Sequence, residues 1–245
     1  MTGELAALFD DLRTRESPPP ELTLLLPPFQ SDTGTLLVAH ADAGRVLLAA
    51  LEAGRQAHGV EPSAARHRRA ESRVRTCGRE VPVFYQTLDV LNLPFRYGGA
   101  AIGARELQRL ERPRALKALQ RVGAHLVPPA VVVLELTVPA CALHPPGAPI
   151  VEIERLRTDD SEPITRRSEQ VIDREAKSIA ISERYERRSG GRVSAREDLR
   201  YRFAWYDEEE ARRLALGAGF AQVQFRTLPC ADVNTARRYA MTASL

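Results

Sequence analysis

Three side chains stand where their type and spacing could do chemistry. Glu61 closes a short apolar segment and lies 17 residues beyond Gly44. That is close to the spacing of about 20 at which a carboxylate accepts hydrogen bonds from ribose hydroxyls in a nucleotide-type site. Asn92 opens the tetrapeptide Asn92-Leu93-Pro94-Phe95, in which an amide oxygen and a following carbonyl can accept from an amine while an aromatic ring stacks beside it. His144, in a loop of Pro, Ala and Gly, carries an imidazole that titrates near neutral pH and is a candidate general base. The last two have bland counterparts: a strand end packed by Phe95, and an idle, exposed His144.

The elements that must position these groups begin with Leu36, Leu37 and Val38, a buried strand. A turn closing on Gly44 follows, then a helix with apolar residues at Val46, Leu47, Ala50 and Leu51, then a second strand ending at Glu61. Such a strand–helix–strand unit builds a parallel sheet whose ligands sit beyond the carboxyl ends of the strands.

This unit resembles the cofactor half of a class I S-adenosylmethionine (SAM)-dependent methyltransferase of the small-molecule type. In that family an acid closes the first strand and a G-x-G-x-G turn follows. Here Val38 stands at the acid, His40 and Asp42 at the first two glycines, and Gly44 at the third. A Cβ at His40 and another at Asp42 crowd a turn whose glycines let the backbone approach the ligand. The resemblance extends through residues 127–136 (fifth strand), 207–216 (closing helix), Gly217-Ala218-Gly219-Phe220, 222–227 and 237–244. It implies a Rossmann-like, doubly wound α/β fold: a mostly parallel seven-stranded sheet with an antiparallel last strand and an antiparallel β insertion after strand 5. It also implies SAM as cofactor, bordered by His40, Asp42, Gly44, Glu61, Pro62, Gln86 and Asn92. The acceptor would lie near Phe95, Tyr97, Tyr185, Arg200, Tyr201 and Trp205. Gln86 is the nearest polar group to the place where the family carries an acid beside adenine.

Ahead of this unit, Leu5, Leu8, Phe9 and Leu12 fall at helical spacing before a proline run, so residues 1–34 are expected to form a helical lid or cover. Residues 35–245 form the methyltransferase-like domain, with the insertion at about 139–206. The pattern predicts a third strand over 81–85, a fourth over 88–93, and a turn at Tyr97-Gly98-Gly99. Alternation at Ile179/Ile181 and Leu199/Tyr201/Phe203/Trp205 around Ser189-Gly190-Gly191 predicts a hairpin in the insertion. Arg66, Arg68, Arg69, Arg73 and Arg75 crowd one helix, whose default reading is a solvated face. Glu135 is expected to satisfy a neighbouring Arg.

The 245 residues carry 35 basic and 32 acidic side chains, a formal charge of +3. That is too even a balance to demand a polyanion, so nucleic acid is disfavoured as a partner. Three cysteines, Cys77, Cys141 and Cys230, suit a reducing compartment, and no metal spacing appears among them. No apolar run suggests a leader or a membrane span, so the expectation is a cytoplasmic protein with a small-molecule substrate, a homodimer or protein partner remaining open. The leading reading is methyl transfer to a small molecule. The alternative is a catalytically inactive relative serving as a binding or assembly partner, and a third is an adenine-type nucleic-acid methyltransferase built on Asn92-Leu93-Pro94-Phe95.

Overall fold

The computed structural model describes residues 3–16, 29, 34–39, 44–103, 105–139, 149–228 and 235–245. The first helix, α1 (Glu4–Glu16), precedes β1 (Leu36–Ala39), α2 (Arg45–Glu52), β2 (Ala57–Val60), α3 (Ala64–Thr76) and β3 (Val83–Phe84). A 3-10 turn at Leu88–Val90 leads to β4 (Tyr97–Ile102), another at Leu107–Arg109 to α4 (Arg112–Ala124) and β5 (Leu126–Pro139). Four long strands follow: β6 (Ile150–Arg157), β7 (Pro163–Asp173), β8 (Ser178–Ser189) and β9 (Arg192–Ala204). The chain ends with α5 (Glu208–Gly217), β10 (Gln222–Thr227) and β11 (Thr235–Ser244).

The main sheet runs β10-β11-β5-β4-β1-β2-β3. Strand β1 is buried at all four positions and pairs in parallel with β2 and β4, as a strand covered on both faces should. Strand β11 is antiparallel to both β5 and β10. Helix α2 lays Val46, Leu47, Ala50 and Leu51 on one face, joined there by Val74 of α3. Helices α4 and α5 cover the other through Ala115, Leu119, Val122, Ala211 and Ala215. This is the doubly wound sheet with an antiparallel last strand that the sequence leads one to expect.

Gly44 opens α2 with φ 92°, and a Cβ there would lie 2.9 Å from Ala70 Cα of α3. Both the turn and the helix packing therefore require glycine at this point.

The fourth strand is a correction. Residues 88–93 form a 3-10 turn and a coil, burying Leu88, Leu91 and Leu93 beside α4, and β4 is instead Tyr97–Ile102, where a turn at Gly98-Gly99 was expected. The physical reason is a close approach: a Cβ at Gly99 would stand 2.6 Å from the Phe29 ring, so the glycine serves packing inside a strand rather than reversal of the chain. Strand β3 is only Val83–Phe84, shorter than the predicted 81–85.

The insertion is a four-stranded antiparallel sheet, β6-β7-β8-β9. Gly190 and Gly191, at φ 55° and 80°, turn the β8–β9 hairpin. Its inner face carries Leu156, Ile164 and Tyr185, against which α1 packs Ala6, Phe9 and Leu12. Gln108 ties the two sheets together: its amide donates to the carbonyls of Thr137 and Ala204, both at 2.8 Å, and accepts from the Thr137 N–H at 2.9 Å. The second sheet is thereby held beside the carboxyl end of β5.

Candidate functional site

Strand β2 ends at Val60, and the next N–H, that of Glu61, donates to the Phe84 carbonyl at 3.0 Å. The ladder to β3 thus continues one residue beyond the strand and fixes Glu61 at its carboxyl end. Glu61 is 1% exposed. Its Oε1 accepts from the Ser63 N–H at 3.0 Å, while Oε2 is buried with no hydrogen-bond partner among the described residues. A buried carboxylate oxygen left unmatched costs roughly 1–3 kcal/mol, so the arrangement has room for a donor from outside the chain. Pro62 leads to Ser63, whose hydroxyl caps α3 by accepting from the Arg66 N–H.

Arg66 is an element the sequence reading treated as surface. Burial by itself would lower its pKa, but Asp10 of α1 and Glu61 overcome that and raise it, so the guanidinium stays charged. It pairs with Asp10, while Arg68 pairs with Glu4, and Arg69 and Arg73 both reach Asp11, at 2.7 and 3.3 Å. The Arg-rich face of α3 is therefore largely a contact with α1 rather than a solvated face.

Phe95 and Tyr97 do not stand at the mouth of the sheet. They precede or begin β4, and five residue steps of about 3.3 Å put Tyr97 roughly 17 Å below the carboxyl end of that strand. Leu93 N–H donates to His125 Nε2 at 2.9 Å, on the residue that leads into β5. The Phe95 ring lies 4.7 Å from His58, and the Tyr97 hydroxyl is 3.3 Å from His58 Nδ1. Burial pushes the Tyr97 phenol up to about 12 and the His58 imidazole down. This is an aromatic packing cluster. Gln86, two residues past β3, spends its amide on the Asn92 backbone, accepting at 2.9 Å and donating at 3.3 Å. His40, Asp42 and His144 lie outside the described residues.

The insertion divides its candidates between two faces. Tyr185 and Tyr201 share the inner face. Tyr185 is buried edge-on against Phe9 at 5.6 Å and donates to Glu183 Oε2 at 2.9 Å. Burial, aided by Glu183, pushes Tyr201 up to about 12, so it is a protonated donor at neutral pH. Arg166 crosses this face to Glu154 at 3.2 Å and Glu183 at 3.6 Å. Arg200, paired in register with Ser182, is exposed on the opposite face. Trp205 lies past the strand in the main core.

Two residues beyond the carboxyl end of β4 were not singled out from sequence. Arg105, at φ 66°, lays its guanidinium over Phe203 at 5.6 Å, and Arg109 lies over Tyr201 at 4.9 Å. Both contacts depend on a strand nearly a hundred residues later, which no local pattern encodes.

No family model matches the chain, and no curated protein matches it by sequence. Solved structures do match. The sugar N-methyltransferase KedS8 from Streptoalloteichus sp ATCC 53650 superposes with a TM-score of 0.76 at 16% identity, covering 100% of this chain and 94% of that one. An S-adenosylmethionine-dependent methyltransferase from Clostridium acetobutylicum ATCC 824 gives 0.74 at 14%, covering 99% and 98%. CalS10, a SAM-bound amino pentose methyltransferase from Micromonospora echinaspora, gives 0.65 at 15%, covering 100% and 92%. The fold is that of the class I SAM-dependent methyltransferases.

Proposed function

We propose that the chain binds SAM at the carboxyl ends of β1 and β2 and transfers its methyl group to a small-molecule acceptor held between β4, β5 and the inner face of the second sheet. The observation that carries this is Glu61: a buried carboxylate, placed by the β2–β3 ladder, with one oxygen unsatisfied. A ribose diol is the partner such an oxygen fits. The resemblance of the fold to SAM-dependent enzymes supports the same reading.

SAM supplies an electrophilic methyl on a sulfonium centre. Transfer is a direct displacement, so the protein's work is to align and dehydrate two bound partners. Glu61 accepts the ribose hydroxyls, with Pro62 beside it, and Arg66 keeps positive charge next to that carboxylate. The positive N-terminal end of α2, beyond Gly44, favours a carboxylate at the methionine end. Helix α1, packed on the inner face of the second sheet, would in this reading help to close the site. Tyr201 stays protonated and can donate to the acceptor.

Calorimetric titration with SAM tests this. Submillimolar binding that weakens by about tenfold or more in Glu61→Ala supports it. A flat titration at millimolar SAM selects the lapsed-pocket reading raised by His40 and Asp42. Against the nucleic-acid reading stand Phe95, packed on His58, and the arginines of α3 that pair with α1; binding of a polynucleotide that falls steeply with salt would favour it.

A further inference from the structure

Many arginines of this chain face acids: Arg66, Arg68, Arg69 and Arg73 of α3 pair with α1, Arg166 with three glutamates, Arg114 with Asp89, Arg238 with Glu135. Arg105 and Arg109 make a different contact. Neither has an acidic partner at salt-bridge distance among the described residues. Instead each guanidinium is spread over an aromatic ring, Phe203 and Tyr201, two residues apart on one face of β9. Stacking on a ring face leaves the guanidinium's in-plane N–H donors free to bind something else.

Their place is as informative as their lack of partners. Gly103 N–H donates to the Ala39 carbonyl at 3.1 Å, which puts the end of β4 level with the end of β1. Arg105 is two residues further on, with a left-handed backbone that a non-glycine residue adopts at a cost, a feature that concentrates at ligand-binding positions. Arg109 is one 3-10 turn later, its N–H bonded to the Arg105 carbonyl at 2.9 Å, so the two side chains leave the same short segment. The rings beneath them belong to the main-core side covered by α4 and α5, whereas Gly44 and α2 lie on the other face of the sheet. The pair is thus separated from the place where the cofactor's own carboxylate would rest.

We infer that Arg105 and Arg109 form an anion-binding fork in the acceptor site, and that the acceptor carries a phosphoryl or carboxylate group alongside the atom to be methylated. This deepens, and rests on, the methyltransferase reading given above. The two guanidinia grip the anion from the β4 side while Tyr201 and Phe203 hold them in position.

The test titrates the full-length protein, saturated with S-adenosylhomocysteine at low salt, with inorganic phosphate and separately with succinate. Binding of either probe in the millimolar range, weakened by about tenfold or more in Arg105→Gln/Arg109→Gln but unchanged in Arg155→Gln/Arg202→Gln on the outer face, supports the fork. The probe preferred tells phosphoryl from carboxylate. The exposed single variant Arg109→Gln, expected to weaken binding in the same direction, guards against misfolding of the double variant. No binding of either probe, equal weakening in both double variants, or a matching loss of S-adenosylhomocysteine affinity in Arg105→Gln/Arg109→Gln overturns it. If the protein binds phosphate or succinate at these arginines but never S-adenosylhomocysteine, the methyl-transfer reading falls while the anion site stands.

Discussion

At the scale of single residues, buried polar groups separate structural roles from functional ones. Gln108 is fully buried and its hydrogen bonds are all made, to Thr137 and Ala204. Gln108→Ala leaves those backbone groups unmatched, at about 2–4 kcal/mol, and a urea titration should show a matching drop in stability. Glu61, equally buried, has one oxygen without a hydrogen-bond partner among the described residues, and the proposed ribose contact would use it. Asp207 offers a pH signature. The Glu210 N–H, at 2.8 Å, and then Lys177, at 2.9 Å, hold its carboxyl below the usual range. A pKa depressed on folding adds stability that is present above the unfolded value of about 3.9 and fades as pH falls through the folded one. Asp207→Ser keeps a cap without the charge, so the variant should lose less stability than the parent between neutral pH and acid below about pH 4.

At the scale of elements, the strand–helix–strand unit was legible because its cues are local: four consecutive buried positions in β1 and a four-residue apolar stripe on α2. The fourth strand was not, because Gly98 and Gly99 look like a turn until Phe29 is seen pressed on Gly99. With β4 beginning only at Tyr97, Phe95 lies before the strand and not at its carboxyl end. Glu61 could be found by spacing, whereas Arg66, Gln108, Arg105 and Arg109 take their meaning from partners distant in sequence. Helix α1 shows which forces matter between elements. The Arg68–Glu4 pair is at least half exposed on both sides, and such pairs are worth about 0–1 kcal/mol, while Phe9 is wholly buried against Tyr185. Phe9→Ala should therefore cost about 3–5 kcal/mol and Glu4→Gln less than about 0.5, as chemical denaturation of the two variants would show.

At the scale of the whole molecule, two sheets meet at the carboxyl end of the parallel one. The parallel sheet ends there with Glu61 on one side and Arg105 on the other, and the antiparallel sheet stands over β5, tethered by Gln108 and braced through α1 to α3. No described helix is long and apolar enough to cross a membrane. Binding of an adenosyl cofactor there through Glu61 is what the proposed function requires. The most direct measurement is a calorimetric titration of S-adenosylhomocysteine into the parent protein and into Glu61→Ala. Submillimolar binding to the parent, weakened by about tenfold or more in the variant, is the predicted result. Heats that are flat at millimolar ligand, or affinity undiminished by the substitution, would contradict it.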